Sequence, residues 1–203
     1  MLSNSRVITA ALLALATSNA AMAQQDTRPN IVLILADDLG FSDISPFGSE
    51  IDTPNIAELA QSGISFTNYH TAGSCAPARA MLLTGVDSHR NGVPNIPEAL
   101  PPEQQQHENY QGVLSSKVVT LSTILQDAGY HTYLPIYEQA NWYADGERHT
   151  LPDDFYSSKY FIDKTIEFIA ENEADGEPFF AYVPFQAVHM PVQAPKEFSD
   201  KYA

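Results

Sequence analysis

Two short runs constrain this chain more than anything else in it. Asn30-Ile-Val-Leu-Ile-Leu-Ala36 is apolar and rich in branched residues, and it stops abruptly at Asp37-Asp38-Leu39-Gly40. Pro178-Phe-Phe-Ala-Tyr-Val183 has the same character and runs into Pro184-Phe-Gln-Ala-Val-His189-Met-Pro191. Continuous apolar runs of this length read as strands buried on both faces, the kind found in parallel sheets covered by helices. Between them helical and extended signals alternate. Thr53 caps a helix that Pro54 opens and Gly63 closes; Ile64 to Tyr69 alternates like a strand. A short helix begins at Cys75 and ends at Gly85. Thr120 to Ala128 is a capped helix closed by Gly129, followed by a strand at Tyr130 to Leu134. Ser158 to Asn172 places Phe161, Ile162, Ile166 and Ile169 on one helical face. Val86 to Lys117 reads as a long polar loop and Pro135 to Tyr156 as irregular, with Tyr137, Trp142 and Tyr143 anchoring it or lining a cleft. The expected fold class is α/β, a mostly parallel or mixed sheet flanked by helices.

The first residues lie outside that fold. A basic Arg6, the apolar run Val7 to Ala16 and Ala21-Met22-Ala23 make up the three parts of a secretory signal. The run is too short to span a bilayer. The expectation is a leader over residues 1–23 and one domain over 24–203, exported to the periplasm or the medium and free of the membrane once cleaved. The formal net charge of −15 weighs against nucleic acid or an anionic membrane as a partner. An anionic substrate would need positive charge concentrated locally, from a metal ion and a few basic side chains.

In open α/β sheets ligands sit beyond the carboxyl ends of the strands. Asp37 and Asp38 follow one expected strand, Cys75 another and His189 a third, so all four belong to one rim if those strands are parallel. The aspartates offer hard oxygens suited to Ca²⁺ or Mg²⁺, or else they serve the turn. No CxxC or HExxH pattern supports a dedicated zinc site. Cys75, the only cysteine, opens a helix, and Arg79 lies one turn above it. A helix amino end and a guanidinium together make an anion-stabilising corner.

Three blocks, RPNIVLILADDLGFSD, TPNIAELAQSGISFTNYHTAGSCAPARAMLLTG and PFFAYVPFQAVHMPVQAP, resemble successive signatures of the sulfatase family. The likeness is to bacterial arylsulfatases of the alkaline-phosphatase-like superfamily and spans most of residues 28 to 201. Its core is Cys75-x-Pro77-x-Arg79 followed by Leu83-Thr84-Gly85. The resemblance implies hydrolysis of a sulfate monoester, small-molecule or glycan, to an alcohol or phenol and sulfate. It implies that a formylglycine-generating, sulfatase-maturating enzyme oxidises Cys75 to Cα-formylglycine. One hydroxyl of the hydrated aldehyde attacks sulfur, and the other expels sulfate as the carbonyl reforms. Asp37, Asp38 and the modified Cys75 are implied to bind Ca²⁺ in preference to Mg²⁺. Arg79 is implied to hold the hydrate, and His189 to contact the ester near its bridging oxygen. His70, His89, His107, His131 and His149 receive no role.

The chain departs from the pattern at one internal place. Where sulfatases carry Gly-Lys-Trp-His after the strand, Tyr133-Leu134-Pro135-Ile136-Tyr137 follows here. Family members also continue beyond the block holding His189, with a further Asp-Asn pair for the metal and another lysine. The expected domain is therefore a truncated one. Hydrolysis of phosphonate monoesters or phosphodiesters, and a non-catalytic remnant that binds sulfated ligands, stand as the alternatives.

Overall fold

The computed structural model describes residues 28–134, 136–138, 141–144, 147–149, 155–192 and 194–202, with the segments between 136 and 149 described as backbone. The leader expected over residues 1–23 and the side chains of Tyr137, Trp142 and Tyr143 lie outside the described residues. No described helix is long and apolar enough to cross a membrane.

The main strands are β1 (Ile31–Leu35), β2 (His131–Tyr133) and, after a small antiparallel sheet of β3 (Ile136–Glu138), β4 (Asn141–Ala144) and β5 (Glu147–His149), β6 (Phe179–Pro184). β6 lies between β1 and β2 and is parallel to both, with Ile31 beside Phe180 and Tyr133 beside Ala181. The helices that matter for the site are α1 (Pro54–Ser62), α2 (Cys75–Thr84), α3 (Leu121–Asp127) and α4 (Ser157–Asn172). The three-stranded segment at 136–149 replaces the irregular stretch expected there.

The two faces of β6 carry different partners. Phe180 and Tyr182 join Tyr130 in a core against which Ile31, Leu33 and Leu35 of β1, Leu83 of α2 and Leu121 and Leu125 of α3 pack. On the opposite face α4 lies against β6 and β2, and its Phe168 ring stacks on Tyr133 at 5.1 Å. Phe180, Ala181 and Val183 are at most 1% exposed, so β6 is buried on both faces, as its apolar run requires. β1 differs from that expectation. Its Val32 and Ile34 are 51% and 54% exposed, because among the described residues α4 covers β6 and β2 but not the edge strand.

The helix signals are realised with local corrections. α1 is flanked by Thr53 and Gly63, but the Thr53 hydroxyl caps no helix N–H; it accepts instead from the Ser45 amide at 2.8 Å. Thr120 does cap α3, accepting from the Thr123 amide. α2 ends at Gly85, whose φ of 66° is the left-handed stop that glycine adopts without a Cβ clash. Ile64 to Tyr69 forms no strand, and Ile64, Phe66 and Tyr69 stand exposed. Alternation makes a strand only where a neighbour supplies the ladder, and no described strand pairs with this segment. In α4 the inward face runs through Phe161 and Thr165, while Ile166 points to solvent.

The long loop after α2 is a folded unit. Asp87 caps a single helical turn, Ser88–Asn91, by accepting from the His89 amide. Fully buried Asn91 then ties the loop together: its Nδ2 donates to Val86 O, its Oδ1 accepts from Val93 N, and its carbonyl accepts from Ser115 N. Gly92 follows at φ 101°, where a Cβ would lie 2.2 Å from Val113 O. Truncating Asn91 leaves the buried Val93 N–H and the part-buried Val86 carbonyl unsatisfied, each costing about 1–3 kcal/mol when buried. Asn91→Ala should lower the urea unfolding free energy by about 2–4 kcal/mol, whereas exposed Ile166→Ala should change it by less than about 0.5 kcal/mol. Equal effects would refute the anchoring role.

Candidate active site

The pairing of β1 with β6 continues past the strand ends. Phe185 N donates to Leu35 O at 2.8 Å, Asp37 N to Ala187 O at 3.0 Å, and Val188 N to Asp37 O at 2.8 Å. Both exit loops are thereby held at the carboxyl edge of the sheet. Asp38 adopts φ 59°, a left-handed conformation that aspartate enters more readily than most residues. Its Oδ2 lies 3.7 Å from His189 Nε2. The other imidazole nitrogen, Nδ1, donates to Met190 O at 2.6 Å. That bond holds the Nδ1 proton and leaves Nε2 as the nitrogen that takes or gives one.

α2 enters the same edge by its amino end. Half-buried Cys75 is its first residue, and no Ser74 side-chain bond caps the helix. The first-turn N–H groups and the helix dipole thus favour negative charge beside the sulfur. One turn on, Arg79 joins three parts of the structure. Its Nη2 is 3.1 Å from Asp37 Oδ2 and 3.3 Å from Phe185 O, and its Nη1 donates to the Tyr182 hydroxyl at 3.3 Å. Both ion-pair side chains are mostly buried, 26% exposed for Arg79 and 18% for Asp37. The guanidinium is therefore fixed by the loop after β1, by β6 and by the loop after β6 together.

A cleft of about 870 Å³ opens here, and Asp37, Cys75, Arg79, Tyr182 and His189 all line it. Asp38 sits at its margin against His189. The structure thus brings the five sequence-read residues to one rim. Among the described residues, the carboxylates of Asp37 and Asp38 and the Cys75 sulfur do not converge on one point within 4.8 Å. Asp37 is turned to Arg79 and Asp38 to His189. As a pair of hard carboxylates they suit a cation such as Ca²⁺, and they fill only part of its shell of six to eight oxygens.

Two lining residues, Tyr182 and Ser158, were not legible beforehand. Tyr182 lay inside an apolar run, where its hydroxyl was the one polar tip. Leu134 lines the cleft just where β2 ends. Ser158, at the start of α4, also lines it, and its Oγ is buried without a hydrogen-bond partner among the described residues.

The family model described as Sulfatase matches residues 29–203. An uncharacterized sulfatase of Schizosaccharomyces pombe is 36% identical over 230 residues, covering 88% of this chain and 41% of that protein. An arylsulfatase of Klebsiella aerogenes is 32% identical over 240 residues, covering 98% of this chain and 51% of that protein. The chain thus spans about half the length of these relatives or less. Among solved structures, a putative sulfatase from Bacteroides fragilis superposes with a TM-score of 0.65 at 25% identity, over 86% of this chain and 47% of that one. BT4656, solved in complex with its substrate D-glucosamine-2-N,6-O-disulfate, gives a TM-score of 0.63 at 25% identity, over 80% of this chain and 35% of that one. The fold is therefore the alkaline-phosphatase-like α/β fold of the sulfatases.

Tyr182 supplies a pH test of the geometry. Burial pushes its hydroxyl above the ordinary phenol range, with the Arg79 charge and hydrogen bond acting in the opposite sense. The folded protein keeps this proton after an unfolded tyrosine has begun to lose it near pH about 10. The resulting stabilisation is whole below that pH and is lost as pH rises through the folded value. Urea unfolding between about pH 8 and 10.5 should show stability falling more steeply in the native sequence than in Tyr182→Phe. Parallel curves would contradict this placement of the hydroxyl.

Proposed function

The chain belongs to the sulfatase family, and from that premise we propose that its cleft is built to hydrolyse a sulfate monoester to an alcohol or phenol and sulfate. The observation that carries the reading is the convergence of Cys75, Arg79, Asp37 and His189 on one cleft at the carboxyl edge of the sheet. In this reading a maturating enzyme converts Cys75 to Cα-formylglycine, exchanging its sulfur and two hydrogens for one oxygen. In this reading the leader-like residues 1–23 direct the chain out of the cytoplasm. The substrate is an aryl sulfate or a sulfated sugar, the latter kind being what BT4656 holds.

The chain's own groups divide the work. Arg79, clamped by Asp37, Tyr182 and the Phe185 carbonyl, cannot swing away and presents a fixed positive charge beside residue 75. The uncapped first turn of α2 directs N–H groups at the same place. His189 Nε2 is the nitrogen able to donate to a departing alkoxide, since Nδ1 is committed to Met190 O. Asp37, Asp38 and the modified residue 75 would hold Ca²⁺, which would polarise the sulfate oxygens.

Positive charge is sparse in this cleft. Leu134 lines it where the family's Gly-Lys-Trp-His block would begin, and among the described lining residues Arg79 is the only lysine or arginine. Loss of a hydrogen-bond donor to transition-state charge costs about 10²–10³ in rate. The chain, co-produced with a maturating enzyme, should therefore hydrolyse an aryl sulfate at least about 10²-fold more slowly than an arylsulfatase retaining that lysine. The turnover should vanish in Cys75→Ala and drop when calcium is chelated. The tryptic peptide holding residue 75 should have the aldehyde mass. An unmodified thiol, together with hydrolysis indifferent to Cys75→Ala, would overturn the reading.

A further inference from the structure

A second convergence lies at the opposite, amino edge of the sheet. His131 opens β2 beside Phe179, the first residue of β6. Asp175 and Glu177 flank Gly176 in the turn between α4 and β6. His131 Nε2 is 2.7 Å from Asp175 Oδ2 and 3.8 Å from Glu177 Oε2. One ligand atom from each residue falls within 4.8 Å of the other two. A cavity of about 260 Å³ adjoins them, with Asn172 and Glu173 on its wall. The catalytic rim lies beyond the far end of the same strands, several residues away at about 3.3 Å each. No residue of the cleft takes part here.

We propose that His131, Asp175 and Glu177 form a binding site for a zinc-class divalent cation, with water completing the coordination. An imidazole with two carboxylates suits Zn²⁺, Co²⁺ or Ni²⁺, whereas Ca²⁺ and Mg²⁺ favour oxygen alone. Ligand bonds of about 2.0–2.1 Å at tetrahedral angles set ligand atoms roughly 3.3 Å apart. The observed 2.7 Å and 3.8 Å lie on either side of that spacing, each about half an ångström from it. The carboxylate side chains, 47% and 56% exposed, are free to make that adjustment and leave the ion open to water. On binding, Nε2 gives up its hydrogen bond to Asp175 and presents its lone pair to the metal, with the imidazole proton carried on Nδ1.

Charge favours the cation. Asp175, Glu177 and Glu173 outnumber Arg28, the one basic residue on the cavity wall, in a chain of net charge −15. Arg28 itself donates to Ala128 O and lies over the Tyr130 ring. The three ligands come from two segments that are distant in sequence. A shared ion would tie the start of β2 to the turn that feeds β6, the central strand.

The test is metal titration of the full chain after chelator treatment, using Zn²⁺ by calorimetry and Co²⁺ by visible absorption. One equivalent should bind, with cobalt bands typical of a four- or five-coordinate nitrogen–oxygen site. His131→Gln and Glu177→Gln should each weaken association by at least about ten-fold. The double variant Asp37→Asn/Cys75→Ser should bind as the native sequence does, which separates this site from any metal in the cleft. Glu177 is exposed, so its variant keeps the test valid if His131→Gln misfolds. Binding unaffected by both Gln variants, binding lost with Cys75, or no binding in metal excess would overturn the proposal; the last would leave a hydrogen-bonded ion pair only.

Discussion

Three backbone hydrogen bonds beyond the strand ends hold together the two loops that frame the cleft. They join Phe185 to Leu35, Asp37 to Ala187 and Val188 to Asp37, and so carry the parallel register of β1 and β6 into their exit loops. Parallel strands deliver both exits to the same edge, which is why ligands gather there. With the loops locked together, Asp37 on one and the Phe185 carbonyl on the other stand a fixed distance from α2. Arg79 spans that gap and adds Tyr182 from β6. The corner is a cross-braced junction of a helix and two strands, and its geometry depends on the sheet register.

That junction explains what could be read in advance. Apolar runs announced β1 and β6, because a strand covered on its flanks has no polar alternation to show. Pro54, Thr120 and Gly85 marked helix ends, because capping chemistry is local. Asp37, Asp38, Cys75, Arg79 and His189 were legible because each lies just past a strand end or at a helix start. Features that depend on distant partners were not. Val32 and Ile34 looked as buried as Leu33, but their exposure is set by how far α4 reaches across the sheet. Ile64 to Tyr69 had the right alternation and lacked a strand to pair with. Ile166 fitted the helical period, yet Thr165, bonded through its hydroxyl to Phe161 O, takes the buried place.

The same limit hid part of the site. Nothing local distinguishes Tyr182 from its apolar neighbours; only Arg79, 103 residues away in sequence, makes its hydroxyl a participant. His131 had no evident purpose until the chain returned at Asp175 and Glu177. Each is a residue whose role is written in a second segment.

Charge links the cleft's chemistry to its shortcomings. Arg79 carries the one fixed positive charge among the described lining residues, and it faces the Asp37 carboxylate. Asp38 adds a second negative charge at the margin, where it faces His189. Two carboxylates thus meet one guanidinium in this corner, within a chain of charge −15. An approaching anion meets repulsion from those carboxylates, strengthened where the walls exclude water. Under the proposed reading, a divalent cation shared by Asp37 and Asp38 would reverse that sign. It would also share Asp37 with Arg79, whose bonds to Tyr182 and the Phe185 carbonyl keep the guanidinium in place. Cation binding and anion binding would then be linked, each favouring the other. A cleft with Leu134 in place of a lysine depends on that linkage more heavily than one with a second fixed cation.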